Sequence, residues 1–173
     1  MVPALPPLIL TLEIDPAAAA FFDDLRQQHF PPERNFLAAH LTLFHKLPGE
    51  HLDEIAEFIR EVAGVQGPIE LSVTGLRPLG GGVAYDLASS DLTALRQCLA
   101  ARWKAWLSRQ DLQGHRPHIT VQNKVTVETA RTLLEALQGM PVPETVTGTG
   151  LILWRYLEGP WSLVERYPFS PID

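Results

Sequence analysis

The order of apolar and polar positions predicts a chain of short strands interleaved with short helices. Apolar residues three or four apart predict helices, and alternating or continuous apolar runs of roughly four to eight residues predict strands. We predict strands at Leu8–Ile14, His40–Phe44, Ile69–Leu76, Val83–Leu87, His118–Gln122, Val146–Leu153 and Ser162–Tyr167. We predict helices from Asp15-Pro16 to about His29, across Leu52–Val62, from a cap at Asp91 to Trp106, and at Val127–Leu137. Between two of the strands, Gly80-Gly81-Gly82 predicts a tight turn.

The same order of elements occurs twice. The first six elements run strand, helix, strand, helix, strand, strand, and a second series that starts again at Val83–Leu87 repeats this order. A His-x-Thr sequence opens the second strand of each half, at His40 and 78 residues later at His118. This repetition predicts an α+β fold of two duplicated β-α-β-α-β-β lobes, with two antiparallel sheets around a central cleft. We expect one domain, residues 1–173, with lobes at about 1–80 and 81–173 and with termini free to cross between them.

Two tetrapeptides carry the candidate chemistry, His40-Leu41-Thr42-Leu43 and His118-Ile119-Thr120-Val121. Side chains alternate between the faces of a strand, so each His and Thr would share one face and the apolar neighbours the other. Histidine titrates near neutral pH, so two imidazoles on opposite sides of a phosphorus atom can act as base and acid. The two hydroxyls could stabilise charge on the remaining phosphate oxygens. The pattern therefore predicts phosphoester cleavage without a metal or any other cofactor.

Composition narrows the class of protein. The chain has 173 residues, 46% of them hydrophobic, and a net charge of −6, which argues against a general nucleic-acid coat protein. Six basic residues and one acidic residue lie between Arg96 and Lys124, and this segment is either a solvated face or a region that attracts phosphate. The single Cys98 excludes an intramolecular disulfide. Without a signal peptide or membrane-spanning run, we expect a cytoplasmic protein, by default a monomer.

The paired motifs resemble those of the 2H phosphoesterase superfamily, which includes 2′,3′-cyclic phosphodiesterases and bacterial 2′-5′ RNA ligase-like proteins. Both tetrapeptides match its H-h-[T/S]-h pattern, where h is apolar, and the duplicated element order extends the resemblance over nearly the whole chain. The resemblance implies a bilobal α+β fold whose motifs line a cleft without a metal. It implies catalytic places for His40 and His118 and phosphate-binding places for Thr42 and Thr120. Some bacterial members carry a basic residue soon after the second motif, which makes Lys124 a candidate.

Further side chains are candidates for the cleft. Phe44 and Gln122 continue the cleft-facing parity of their strands, so Phe44 is a candidate for stacking on a base and Gln122 for hydrogen bonding to a base or phosphate. His45 and His115 have the opposite parity in regular strands and are expected on the surface, although His115 could also lie on the cleft rim. We expect Trp154 and Trp161, two aromatic residues of a predicted hairpin, to pack in the core or at the sheet edge.

Two alternatives stay open for the function, and a third, zinc binding, is disfavoured. Zinc binding by several histidines is disfavoured because the paired Cys or Cys/His spacing of structural sites is absent and strand parity divides the histidines between faces. The hydrolytic site could also run in reverse, with an RNA hydroxyl in place of water, and form a 2′-5′ linkage. The other open alternative is a nucleotide- or RNA-binding module without turnover. The substrate class expected for the enzyme is a small cyclic-phosphate nucleotide or an RNA end.

Overall fold

The computed structural model describes residues 2–171, and its elements follow the predicted order. Within these residues the strands are β1 (Leu8–Ile14), β2 (Leu41–Leu47), β3 (Ile69–Pro78), β4 (Val83–Ala88), β5 (His118–Gln122), β6 (Thr145–Tyr156) and β7 (Trp161–Pro168). The α-helices are α1 (Pro16–His29), α2 (Leu52–Val65), α3 (Ser90–Trp103), α4 (Arg109–Leu112) and α5 (Val127–Leu137). The short α4 was not predicted, and α3 ends three residues before the expected Trp106.

The strands described form one antiparallel hydrogen-bonded sheet. Its order is β2-β1-β6-β3-β4-β5, and β7 pairs with β6 as well. The predicted α+β class with antiparallel strands is confirmed. The two predicted sheets are joined into one, because β6 is long enough to serve both. Its beginning, Thr145–Gly148, pairs with β3, and the following stretch, Gly148–Arg155, pairs with β1.

Each half of the chain lends one strand to the other half. The run β2-β1-β6 combines two strands of the first half with one from the second. The run β5-β4-β3 combines two strands of the second half with one from the first. The two runs correspond in order. The outermost strand of the first, β2, begins directly after the motif histidine His40, and that of the second, β5, begins with the motif histidine His118. The lobe boundary near residue 80 stays a prediction.

Helix starts follow capping residues in the sequence. Asp15 caps α1, because its carboxylate accepts a hydrogen bond from the amide of Ala18 at 2.9 Å. The predicted cap of α3 at Asp91 is wrong. Ser89 is the cap, and its hydroxyl accepts from the amide of Leu92. Asp91 lies in the first turn instead, where its negative charge interacts favourably with the helix dipole.

The predicted turn at Gly80–Gly82 connects β3 to β4. Gly80 has a φ of +82°, a backbone conformation that glycine adopts without strain. At Gly82 an added Cβ would lie 2.0 Å from the carbonyl oxygen of Gln122, so only glycine fits there. This close approach lets the start of β4 pair with the end of β5.

Apolar helix faces pack against the sheet and form one core with it. Ile55 and Ile59 of α2, one helical turn apart, are fully buried. Phe22 of α1 contacts Tyr85 of β4, with ring centroids 5.6 Å apart. Each such burial contributes roughly 1.5–3 kcal/mol, so the motif strands rest on a rigid support. Within residues 2–171, no helix combines the length and apolar content that crossing a membrane requires.

Candidate active site

The sheet curves until its two outermost strands, β2 and β5, approach each other. β2 begins directly after His40, and β5 begins with His118, so both histidines lie at strand starts. The ring of His115, a residue that precedes β5, makes a direct contact with β2. Its Nε2–H donates to the carbonyl oxygen of Thr42 at 2.9 Å. The fold therefore brings the two predicted motifs to one cleft.

Both motif imidazoles are oriented by the same local hydrogen bond. Nδ1 of His40 lies 2.8 Å from the carbonyl oxygen of Ala38, and Nδ1 of His118 lies 2.9 Å from that of Arg116. A carbonyl oxygen only accepts, so Nδ1 carries the hydrogen in each ring. In a neutral ring this leaves Nε2 with a free lone pair. Both histidines are half-buried, as are the two threonines of the motifs.

Burial lowers the pKa of His40 to about 4. The hydrogen bond to Ala38 opposes this, while positive charge on Arg26 and His118 lowers the pKa further. Burial also lowers the pKa of His118, against its backbone hydrogen bond and with the help of the charge on Arg77. Both rings are consequently neutral at pH 7 in the free protein.

A bulge in each motif strand changes the faces of the residues that follow. In the β1–β2 pair, Thr11 is opposite Thr42 but Leu10 is opposite Phe44, so Leu43 is an extra residue. The β4–β5 pair repeats this feature one residue after Thr120, at Val121. Because side chains alternate between faces, each bulge moves the next residue from the cleft face to the core face.

Phe44 and Gln122 therefore do not face the cleft, contrary to the parity argument from regular strands. Phe44 is fully buried, with its ring 5.3 Å from that of Trp103 and the guanidinium of Arg96 stacked on it at 4.5 Å. Gln122 is 3% exposed, and its carboxamide oxygen finds no donor among residues 2–171. Their assignment to substrate binding is wrong for this structure because neither side chain is accessible.

Lys124 lies in the turn after β5. It is exposed, has a φ of +63°, and its amide hydrogen bonds to Asn123. His118 stands at the opposite end of β5, six residues earlier, a separation of up to ~20 Å along extended chain. The structure does not bring Lys124 next to the motif histidines.

Arg26 of α1 clamps the second motif strand from the first half of the chain. Its Nε donates to the side chain of Asn35 at 2.8 Å and to the carbonyl of Leu37 at 2.9 Å. A terminal nitrogen donates to the carbonyl of Thr120 at 3.2 Å. Arg26 is only 4% exposed, and burial lowers its pKa to about 10. One buried cation therefore joins the loop before His40 to the strand that holds Thr120.

A reciprocal clamp holds the first motif strand from the second half. Nε of Arg96 donates to the carbonyl of Leu43 at 2.9 Å, next to the bond from His115 to Thr42. The carboxylate of Asp111 accepts from the amides of His45 and Lys46 at 2.9–3.0 Å. These contacts satisfy the free edge of β2, which would otherwise expose unpaired backbone groups.

An aromatic cavity of about 220 Å³ adjoins His40. Trp161 lies against the His40 ring, with centroids 4.7 Å apart, and Trp154 lies 5.9 Å from Trp161. The indole N–H of Trp154 donates to the hydroxyl of Thr11 at 3.0 Å. Packing in the core or at a sheet edge, which we expected for the two tryptophans, does not describe them fully, because both also line the cavity beside His40. Their position depends on the register of β6 against β1, which no local pattern reveals.

Charged pairs accompany both histidines. Glu13 and Arg166, 2.5 Å apart, line the aromatic cavity together with His40. On the other side Asp86 is the cross-strand partner of His118. Two guanidinium groups contact the Asp86 carboxylate, one at 2.6 Å and the other at 2.9 Å, and belong to Arg77 and Arg116. The His118 side therefore carries a net positive cluster, whereas the His40 side is aromatic.

Among residues 2–171, no group of three or more His, Cys, Asp and Glu side chains is arranged to hold a metal ion. The single free thiol of that stretch, Cys98, is exposed on α3. The side chains around the motif histidines are imidazoles, hydroxyls, indoles, guanidinium groups and the carboxylates of Glu13 and Asp86.

Comparisons with known proteins agree with this geometry. The profile of the 2′-5′ RNA ligase superfamily matches residues 14–160, a stretch that includes both motifs. A search of curated proteins found no match.

Solved structures share the fold at low sequence identity. A crystal structure of a Thermus thermophilus protein is 15% identical, with a TM-score of 0.67 over 96% of this chain and 100% of the other. Escherichia coli LigT complexed with 3′-AMP is 16% identical, with a TM-score of 0.62 over 96% and 99% of the two chains. A structure described as a phosphoesterase is 16% identical, with a TM-score of 0.63 over 96% and 99%.

Proposed function

The chain belongs to the 2′-5′ RNA ligase superfamily, the family that the paired His-x-Thr motifs resemble, and we propose that it hydrolyses a 2′,3′-cyclic phosphate. The observation that carries this proposal is the matched pair of imidazoles. Both Nδ1 atoms are held by a backbone carbonyl, and neither Nε2 has a hydrogen-bond partner among residues 2–171, at the starts of two strands that approach each other. The reaction needs no metal, because the base, the acid and the anion-binding groups are all side chains.

We assign the base to His40 and the acid to His118. His40, with a pKa of about 4, is the ring that most readily stays neutral. Its Nε2 takes a proton from water while the water oxygen forms a bond to phosphorus. The bond from phosphorus to one ribose oxygen breaks, and His118 in its protonated form gives its Nε2 proton to that oxygen. The product is a ribose 2′- or 3′-phosphate, and proton exchange with solvent restores both rings.

The hydroxyls of Thr42 and Thr120 are assigned to the non-bridging phosphate oxygens. Each lies two residues after a motif histidine and precedes the bulge, so it keeps the face that the histidine has. Hydrogen bonds to these oxygens strengthen as charge accumulates in the transition state. E. coli LigT has been crystallised with phosphate and with 3′-AMP, which supports a phosphate site and a nucleoside site for this chain too.

The nucleoside part of the substrate is assigned to the cavity beside His40. Trp154 and Trp161 offer indole faces, and stacking on an aromatic side chain tolerates every base. A volume of about 220 Å³ accommodates one base with part of its ribose rather than a folded oligonucleotide. The substrate class is therefore a 2′,3′-cyclic nucleotide or the last nucleotide of an RNA with that end.

The decisive experiment measures hydrolysis of the four 2′,3′-cyclic nucleotides by the wild-type protein and by an H40A/H118A double variant. We expect turnover of at least one nucleotide by the wild type, unchanged by EDTA, and none by the double variant. Binding of cyclic nucleotides without hydrolysis would contradict the proposal and favour a non-catalytic binding module. Joined product from tRNA half-molecules, without hydrolysis, would contradict it in favour of 2′-5′ ligation at the same site.

A further inference from the structure

His45 forms a dyad with a buried carboxylate next to the proposed reaction site. Its Nδ1 lies 3.1 Å from Asp111, whose side chain is fully buried and also accepts from the amides of His45 and Lys46. Burial raises the pKa of Asp111, but the hydrogen bonds from His45 and the two amides outweigh it, and the net pKa is below the usual value. The carboxylate is therefore ionised and holds the His45 ring in one orientation.

The bulge at Leu43 places His45 on the side of the strand that carries Thr42. Phe44 and Leu47 both turn into the core, opposite Leu10 and Leu8. His45, between them, is exposed, and its side chain keeps 39% of its surface open. With Nδ1 occupied by Asp111, Nε2 is the nitrogen that remains available on the cleft side.

The His45 ring is close enough to the motif histidines for its charge to affect them. A positive charge on His45 lowers the pKa of His40, His115 and His118. Asp111 and His115 belong to the same segment before β5, and His115 contacts the Thr42 carbonyl. The first motif strand and this segment therefore place two further imidazoles, those of His45 and His115, within one small region around the cleft.

We propose that His45, oriented by Asp111, is a third phosphate-binding imidazole of the cleft. In its protonated form the ring donates Nδ1–H to Asp111 and Nε2–H to an oxygen of the phosphate that the motif threonines bind. This inference rests on the proposed function for the identity of the substrate, but it concerns binding of the phosphate group and not the bond cleavage. Neither the His-x-Thr pattern nor the parity of a regular strand assigns a role to His45.

The first test is a titration of the wild-type protein with inorganic phosphate, followed by NMR of the histidine ring nitrogens. We expect the His45 signals to move toward the imidazolium position as phosphate binds, together with those of the motif histidines. His51 is the internal control, because its Nδ1 also contacts a carboxylate, Glu54 at 3.5 Å, but its ring stacks on Trp106, and it is not among the groups whose charge acts on His40 or His118. Unmoved His45 signals at phosphate saturation would overturn the proposal.

The second test compares the variants H45Q and H51Q. Glutamine at position 45 keeps the backbone amides bound to Asp111, so the strand edge stays closed. We expect H45Q to weaken phosphate binding, and to raise KM for a 2′,3′-cyclic nucleotide, by about tenfold, with kcat within about threefold of wild type. H51Q is expected to change neither. Equal phosphate affinity of H45Q and wild type would overturn the role of His45.

These outcomes separate the two proposals. A wild-type protein that binds phosphate through His45 but hydrolyses no cyclic nucleotide would overturn the proposed function and support the His45 site. Hydrolysis with full phosphate affinity in H45Q would support the function and overturn the site. In D111N, a neutral amide replaces the carboxylate. We expect weaker phosphate binding there as well, with the His45 ring signals of the free protein displaced from their wild-type positions.

Discussion

The two motif strands share their inner geometry and differ in what surrounds it. At His40 and at His118 the ring donates Nδ1–H to the carbonyl two residues earlier, and a bulge follows the motif threonine. Beside His40 lie two tryptophans and the ion pair of Glu13 with Arg166. Beside His118 stands a carboxylate shared by two arginines, Arg77 and Arg116. The duplicated halves thus keep equal geometry at the reacting groups and unequal chemistry around them.

This difference separates catalysis from recognition. Two rings held in the same tautomer can each exchange a proton with a substrate, one from each side of the phosphorus atom. This proton exchange requires the two sides to be alike only next to the phosphorus atom. A nucleotide is itself asymmetric, with a base on one side and anionic oxygens on the other. Under the proposed function, an aromatic side and a cationic side would give such a substrate one preferred direction in the cleft, and this direction would assign base and acid to different histidines.

The largest expected effect comes from removing one histidine at a time. H40A and H118A should each lower kcat by ~10²–10⁴, because each removes one proton-transfer group. The wild-type kcat/KM should be bell-shaped in pH. It falls below about pH 4 as His40 becomes protonated, and it falls again as His118 loses its proton at a pH below 6.5. H40A should lose the acidic limb and H118A the basic limb. Identical profiles of the two variants would mean that the sides have equal roles.

The next effect concerns the clamps. R26M leaves the acceptors on Asn35, Leu37 and Thr120 without their buried donor, and we expect a loss of about 2–4 kcal/mol in the free energy of unfolding. R96M should cost less, because Arg96 is partly open to solvent. Urea unfolding of both variants measures the difference. Equal losses in the free energy of unfolding would show that the burial of Arg26 adds nothing to its contribution relative to the half-buried Arg96.

Aromatic and cationic sides can be separated by substrate. Stacking of a base is worth ~1–3 kcal/mol, so W161A should raise KM for 2′,3′-cyclic AMP by roughly tenfold or more. Glycerol 1,2-cyclic phosphate, which has no base, should show no change with W161A. R116A is the matched variant on the other side and should leave the base-dependent difference intact. A KM change that is the same for both substrates would place the base elsewhere.

The smallest effect is the dependence of stability on pH. Burial lowers the pKa of His115 to about 4, from an unfolded value near 6.5. Between these values the unfolded chain binds more protons, so stability is lost as pH falls from about 6.5 to about 4 and is constant for this group above that range. H115Q should show a shallower loss, by at most about 2 kcal/mol. Parallel curves for H115Q and wild type would show that the His115 clamp does not titrate.

The sequence predicted the elements and the meeting of the two motifs because these depend on local patterns. Alternation, capping residues and the repeated order of elements located the strands that hold His40 and His118. The same parity argument failed for Phe44 and Gln122, since the extra residue after each motif threonine reverses the side chain that follows it. A bulge is decided by how two strands fit together, and β1 and β2 are separated by a whole helix.

Other parts of the site depend on contacts between distant segments. In the sequence, Arg26 is indistinguishable from any other basic residue on an amphipathic helix. In the structure it donates a hydrogen bond to the carbonyl oxygen of Thr120, 94 residues away. Trp154 reaches Thr11 across 143 residues, and His45 meets Asp111 across 66. Buried polar groups of this kind are fixed by the unpaired backbone that each must satisfy, and that backbone is known only once the sheet order is known.

The exchange of β3 and β6 has a consequence for how the chain could be divided. A cut in the Gly80–Gly82 turn would leave the first fragment without β6 and the second without β3. We therefore expect neither fragment to fold alone and a mixture of the two to restore the intact fold. Because β6 runs without interruption through both parts of the sheet, one continuous strand joins the part that holds β2 to the part that holds β5. The relative position of the two motif strands is therefore set when β6 pairs with β1 and with β3.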